Sequence, residues 1–285
     1  MNAQCLAENT HRSIDAAMLD GLCLEALRHE VMAWPKPGLV SPVDQGSHGD
    51  MHIGTFLASI SALQGSFAAL AEAGLQGATF TRLQAIGIHA EQKMHRATAG
   101  INTHRGAIFN LGLLAAAAAY RSGKQALAPH SCGEIVSRVW GKAIMAGRTH
   151  TSHGNRMFKQ FSAGGARAEA AAGFPSVYQL GVPALQRQLR FGQNQHSARI
   201  AALLALMEHL PDTNLLWRGG RAGLVFVQQA AADFNRAGGV NAPDWQAHLL
   251  EMHVSFIERQ LSPGGSADLM AASCLVHQLE AEQLS

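Results

Sequence analysis

Residues 56–70 read FLASISALQGSFAAL. Phe56, Ile60, Leu63, Phe67 and Leu70 recur there at steps of four, three, four and three, which lines one face of a 3.6-residue helix. A strand would bury every second residue instead, and no stretch of the chain sustains that alternation. Upstream, Ile14, Met18 and Leu22, then Leu24, Leu27 and Val31, form a similar but broader face. Downstream, Leu113–Tyr120 is mostly alanine and predicts a buried helix. Ser131 with Glu134 ahead of Ile135, Val136, Val139 and Trp140 is a capping-box pattern. Ser266 reads as an N-cap before Leu269, Ala272, Leu275, Val276 and Leu279. Leu224–Phe234 and Trp245–Leu261 read as further helices, and Pro175 and Pro243 fit first-turn positions. The pattern predicts an all-α fold: a single compact multi-helix domain of roughly ten helices. It covers residues 13–285 behind a flexible N-terminus at residues 1–12.

Of 285 residues 47% are apolar, enough for a large core. A formal charge of +2 without blocks of like charge does not make a nucleic-acid surface. Cys5, Cys23, Cys132 and Cys274 lack CxxC spacing. That argues against a zinc ribbon or disulfide framework and for buried free thiols in a reducing cytoplasm. The first residues, MNAQCLAENTHRS, carry no apolar signal core, and no apolar run approaches the ~20 residues of a membrane span. The expectation is a cytoplasmic protein with no membrane or nucleic-acid partner.

Chemistry is concentrated in four polar connections. The first, EVMAWPKPGLVSPVDQGSHGDM at 30–51, is longer than the about 4–6 residues a simple corner needs. Prolines on both sides of Lys36 stiffen the segment, so the lysine is either an exposed turn residue or one aimed at a phosphate. His48 and His52 have the i, i+4 spacing of a zinc pair, but Gly49 stands where a zincin has glutamate. Asp50 then caps the next helix, binds Mg²⁺ or acts as a general base with His48 beside it. Asn102-Thr103-His104-Arg105-Gly106 opens a helix, whose free N–H groups and positive dipole end suit an anion. Asp212-Thr-Asn214 is a turn and cap or a metal carboxylate, followed by Arg218 and Arg221. Ser262-Pro-Gly264-Gly265-Ser266-Ala-Asp268 is a Gly-rich helix entry without a Walker lysine. A basic stretch with Arg148, His150, His153 and Arg156 leads to Arg167 and Glu169. It reads as triphosphate lining or as surface. The inventory of carboxylates, arginines and helix entries suits a polyphosphate ligand.

Five motifs in order, EVMAWPKPGLVSPVDQGSHGDM, GINTHRGAIFNLGLL, GARAEAAAGFP, DTNLLWRGG and SPGGSADLMAA, make the chain similar to the triphosphoribosyl-dephospho-CoA synthase family from about residue 30 to 272. The resemblance is closer to the branch serving malonate decarboxylase than to that serving citrate lyase. It implies an all-helical pentosyltransferase. The 2′-hydroxyl of 3′-dephospho-CoA attacks C1′ of the ATP ribose, adenine leaves, and the product is a prosthetic-group precursor for an acyl carrier protein. ATP and 3′-dephospho-CoA are then the substrates, with Mg²⁺ as Mg-ATP, and a homodimer stays open.

The motif match singles out positions without assigning roles. The expectation drawn from it is that Asp50 is catalytic, as ligand or base, with His48 supporting it. Asp212 and Asp268 are further metal ligands. Lys36, Gly38, Asn102, Thr103, His104, Arg105, Arg167, Glu169, Arg218, Ser262, Gly264, Gly265 and Ser266 form the substrate-binding set. Arg105 stands where many relatives have lysine, which keeps the charge and changes the donor geometry. Ala168 replaces an expected glycine, which puts close backbone approach there in doubt. Two other readings fit the residues: another Mg-dependent helical nucleotide hydrolase, and a non-enzymatic helical partner of a decarboxylase complex.

Overall fold

The computed structural model describes residues 15–124, 127, 130–146 and 164–280. Among them the regular elements are helices and no strand occurs. Taking helices that pass through a π turn as continuous, twelve follow in order. They are α1 (Ala16–Met32), α2 (Ile53–Ala62), α3 (Ser66–Leu75), α4 (Phe80–Ala97), α5 (Arg105–Ser122) and α6 (132–146, π at Val136–Trp140). Then come α7 (Gly165–Ala171), α8 (177–190, π at Val177–Gly181), α9 (Gln195–His209), α10 (Thr213–Arg236), α11 (Trp245–Glu258) and α12 (Gly264–Glu280).

The all-α expectation holds, and the count is two above it. One reason lies in the stretch that decided the fold. Gly65 sits at φ +77°, so the apolar stripe is shared by α2 and α3, bent 43° apart. The face survives the bend: Ile60, Leu63, Phe67 and Leu70 are all buried. No single helix among the described residues is long and apolar enough to cross a membrane. The bent α2–α3 pair meets that test by length and composition, and α3 packs on α1, α4 and α5.

Alanine and glycine let α5 run through the centre. Ala115 to Ala119 are buried, and a Cβ on Gly74 of α3 would lie 2.2 Å from the Ala116 carbonyl oxygen. Side chains that small bring backbones together, which maximises dispersion contact. α12 is the second central helix, buried from Ser266 to Val276 apart from Asp268 and packed on α1, α5 and α9. Cys23, Cys132 and Cys274 are buried free thiols.

Several boundaries differ from expectation. The Ser131–Glu134 capping box forms, and Pro175 begins a helical turn. Asp50 does not cap α2. The chain stays extended through His52 (φ −145°, ψ 177°). His52 Nδ1 therefore accepts the Gly54 N–H at 3.0 Å. Pro243 lies in the turn before Asp244, the N-cap of α11. That helix ends at Glu258 rather than Leu261, because Gln260 turns to φ +54°. α12 starts at Gly264, so Ser266 is a buried first-turn residue and not its cap. Residues 1–12, Cys5, Ile14, Arg148, His150, His153 and Arg156 lie outside the described residues.

Candidate active site

Three helices begin at one cavity of about 990 Å³. They are α5 through Asn102–Gly106, α10 through Asp212–Asn214, and α12 through Gly264–Gly265. A helix start carries unpaired N–H groups and partial positive charge. Such starts suit an anion, and the carboxylate of Asp212 already takes that place at two of the three.

Asp212 joins two of these starts. Its carboxylate accepts from Asn214 N–H at 2.9 Å, from Ser266 N–H at 2.9 Å and from the Ser266 hydroxyl at 3.2 Å. A Cβ on Gly265 would fall 2.9 Å from Asp212 Oδ1, so only glycine leaves the carboxylate in place. Burial raises the Asp212 pKa, and these donated hydrogen bonds oppose the rise. The α5 and α12 starts meet just as closely. A Cβ on Gly106 would sit 2.0 Å from Asp268 Oδ2. Asp268 is only partly exposed into the cavity. Burial, then the charges of Glu30 and Asp212, raise its pKa well above the usual carboxylate range.

Behind this floor sits an ion pair. Lys36 is 1% exposed and does not line the cavity. Its ammonium donates to Glu30 Oε1 at 2.5 Å and to the Glu30 carbonyl at 2.6 Å. Burial lowers the Lys36 pKa and Glu30 opposes that. The stiff loop therefore aims the lysine inward, at a carboxylate of α1 that itself lines the cavity. Gly38 also lies off the cavity. With φ +71° and a Cβ position 2.2 Å from the Leu261 carbonyl oxygen, it seats the loop on the residues before α12.

The rim is more open. Arg218 donates to the Ser47 and Gln260 carbonyls at 3.0 and 3.2 Å and to His48 Nδ1 at 3.1 Å. His48 Nδ1 is thus the acceptor, and Nε2–H donates to Ser262 Oγ at 2.8 Å. Burial, then Arg218, lowers the His48 pKa, which fits this neutral tautomer. Asp50, 3.7 Å from His48 Nδ1 and 65% exposed in its side chain, does not line the cavity. Arg105 pairs with Glu91 at 3.1 Å and is half exposed. Asn102 Oδ1 accepts the Arg105 N–H at 3.2 Å.

The remaining predicted residues gather at the same cavity. Arg167 and Glu169 line it. Arg167 donates to the Ile144 carbonyl at 3.1 Å. Both Glu169 oxygens are engaged by Ser176, at 2.6 and 3.0 Å. Ala168, where glycine was expected, lines the cavity too; its Cβ is 2.2 Å from where a Cβ on Gly164 would be. Thr103 and His104 line the wall. His104 Nδ1 shares a 2.7 Å hydrogen bond with Ser59, and burial, then Lys36, pushes its pKa down to about 3. Asp50, Lys36, Gly38 and Ser266 are the predicted residues that do not line the cavity.

Four contributors escaped sequence reading: Glu30, Ser59, Glu91 and Asn110. Glu91 and Ser59 are ordinary helix residues in sequence, and only packing brings them to Arg105 and His104. Asn110 did leave a signal, a lone amide inside an apolar helix.

Residues 16–285 match the family model described as ATP:dephospho-CoA triphosphoribosyl transferase. A protein of Acinetobacter calcoaceticus named probable 2-(5''-triphosphoribosyl)-3'-dephosphocoenzyme-A synthase is 37% identical over 98% of this chain and 98% of its own. A Pectobacterium carotovorum subsp. carotovorum protein of the same name is 38% identical over 93% and 90%. One from Pseudomonas fluorescens strain Pf-5 is 40% identical over 93% and 92%. No solved structure matches. The chain belongs to the ATP:dephospho-CoA triphosphoribosyl transferase family and is a transferase enzyme of that kind.

Proposed function

We propose that this chain transfers the 5-triphosphoribosyl group of ATP to the 2′-hydroxyl of 3′-dephospho-CoA. Adenine is released, and the product is 2′-(5″-triphosphoribosyl)-3′-dephospho-CoA, the prosthetic-group precursor of a malonate decarboxylase acyl carrier protein. The observation that carries the reading is one large cavity lined by Arg105, Arg167 and Arg218 together with the start of α5. A triphosphate that must stay intact needs such a grip, away from the reacting carbon.

The C1′–N bond to adenine breaks as the C1′–O2′ bond forms, through an oxocarbenium-like state. The attacking hydroxyl gives up a proton and the departing base takes one. Holding both nucleotides in line supplies much of the rate, up to ~7–11 kcal/mol in favourable systems. Water must be excluded, since a hydroxyl from solvent would give hydrolysis instead. Apolar lining residues such as Phe56, Leu83 and Ile88 serve that end.

Mg²⁺ fits as a companion of the triphosphate. Among the described residues no three His, Cys, Asp or Glu side chains form an all-protein metal site. Mg²⁺ is commonly held by one or two carboxylates together with substrate phosphates. Asp268 suits that role, because burial and then the charges of Glu30 and Asp212 disfavour its ionised form, and a cation offsets both. Asp212 stands behind it with most of its capacity used by Ser266 and Asn214, and Asp50 is a third candidate at the rim. Bound there, Mg²⁺ would neutralise phosphate charge.

The test is mass spectrometry after incubation with ATP, Mg²⁺ and 3′-dephospho-CoA. Free adenine with a triphosphoribosyl adduct, absent when either substrate is withheld, is the expected result. Adenine or ADP without adduct would replace the reading with a hydrolase. A malonate decarboxylase carrier protein accepting the product, where a citrate lyase carrier does not, tests the downstream partner.

A further inference from the structure

Three polar atoms in the residues that wall the cavity have no hydrogen-bond partner among the described residues: Thr103 Oγ1, His104 Nε2 and Asn110 Oδ1. His104 is 2% exposed and Asn110 1%. A buried polar atom without a partner destabilises the ligand-free fold, and native chains retain few of them. Ser59 holds the other His104 nitrogen at 2.7 Å. Phe56 packs edge-on against the ring, centroids 4.9 Å apart. One nitrogen and one edge of the imidazole are thus engaged, and Nε2 has no partner among the described residues.

None of the three groups carries charge, for burial keeps His104 neutral. Lys36, the cation that acts on it, is spent on Glu30. The adjacent cation, Arg105, is turned to Glu91 at 3.1 Å, and Phe56 lies against the His104 ring, so these groups offer neutral hydrogen bonding beside an aromatic face. A flat, neutral heterocycle with ring nitrogens and an exocyclic amine suits such a wall. Resting on the transferase reading, we infer that Thr103, His104 and Asn110 form the subsite for an adenine ring, with Ser59 as the positioning residue for His104. The three atoms are shut off from water, so a ring that reaches them as side chains turn displaces little hydration there and supplies the partner they lack. Adenine occurs in both substrates, and this chemistry serves either ring.

The test uses Thr103→Val and Asn110→Leu, which remove the polar atoms at nearly constant shape. Each is expected to raise the KM for one adenine substrate about tenfold and to leave the other within about twofold, while Tm stays level or rises because an unpaired group is gone. A rise confined to ATP assigns its base to the wall. Wild-type enzyme then discriminates against inosine triphosphate, and the variants lose that preference. A rise confined to 3′-dephospho-CoA assigns the other ring. Ser59→Ala is expected to shift the same KM, with rescue by Ser59→Thr. Unchanged KM values for both substrates, or a fall in Tm with both KM values rising alike, would overturn the subsite. If wild-type protein releases no adenine, the transferase reading fails separately. Calorimetric binding of adenosine monophosphate, weakened by the same variants, would still uphold the subsite, and unweakened binding would remove it.

Discussion

The rim and the floor of the cavity carry similar residue types in different physical settings. At the rim, Asp50 is 65% exposed in its side chain, and Arg218 and His48 tie the 33–52 connection to α10 and the turn before α12. At the floor, Asp268, Asp212 and Glu30 are enclosed, their charges are felt by one another, and Lys36 is held inside with them. Water screens the first set and not the second. A carboxylate at the floor is therefore the better place for a metal or a developing charge, while the rim clamps loop to scaffold.

The contrast can be broken in several ways. The largest stability effect is expected at Lys36→Met. Leaving Glu30 buried without its partner costs about 3–5 kcal/mol in chemical denaturation, and adding Glu30→Gln should recover much of it. A single variant as stable as wild type would mean that the pair is not enclosed. Gly106→Ala comes next. Its Cβ would lie 2.0 Å from Asp268 Oδ2, so the carboxylate must move, and adenine release should fall about a hundredfold with the fold retained.

The pH dependence follows from the raised Asp268 pKa. Its folded-state value exceeds the unfolded one, so its contribution is full below the ordinary carboxylate range and is lost as pH rises through the folded value. Asp268→Asn avoids that loss. Its Tm advantage over wild type should be larger at pH 8 than at pH 5, and a gap that shrinks with pH would reverse the assignment. The smallest effect is expected at Arg218→Lys, a few-fold rise in KM through the loss of forked geometry at the rim.

Much of the fold was legible because helical period and capping are local. The stripe from Phe56 to Leu70, the Ser131–Glu134 box and the alanine helix at Leu113–Tyr120 needed only their neighbours in sequence. Gly65 hid its bend, since a single glycine is compatible with both a continuing and a broken helix. The site was legible as motifs, and Asn102–Arg105, Asp212, Arg218, Gly264, Gly265 and Asp268 do meet at the cavity. What sequence did not show was burial. Nothing local says that Lys36 turns inward to Glu30, or that Ser59 of α2 meets His104. Those facts depend on how distant helices pack.

The most direct measurement of the central claim compares Asp268→Asn with Asp50→Asn in one assay, adenine release from Mg-ATP in the presence of 3′-dephospho-CoA. If the chemistry belongs to the floor, Asp268→Asn loses about a thousandfold in turnover while Asp50→Asn stays within about tenfold, both variants remaining folded. The reverse order, with Asp50→Asn inactive and Asp268→Asn near wild type, would contradict the account and return the catalytic role to the rim.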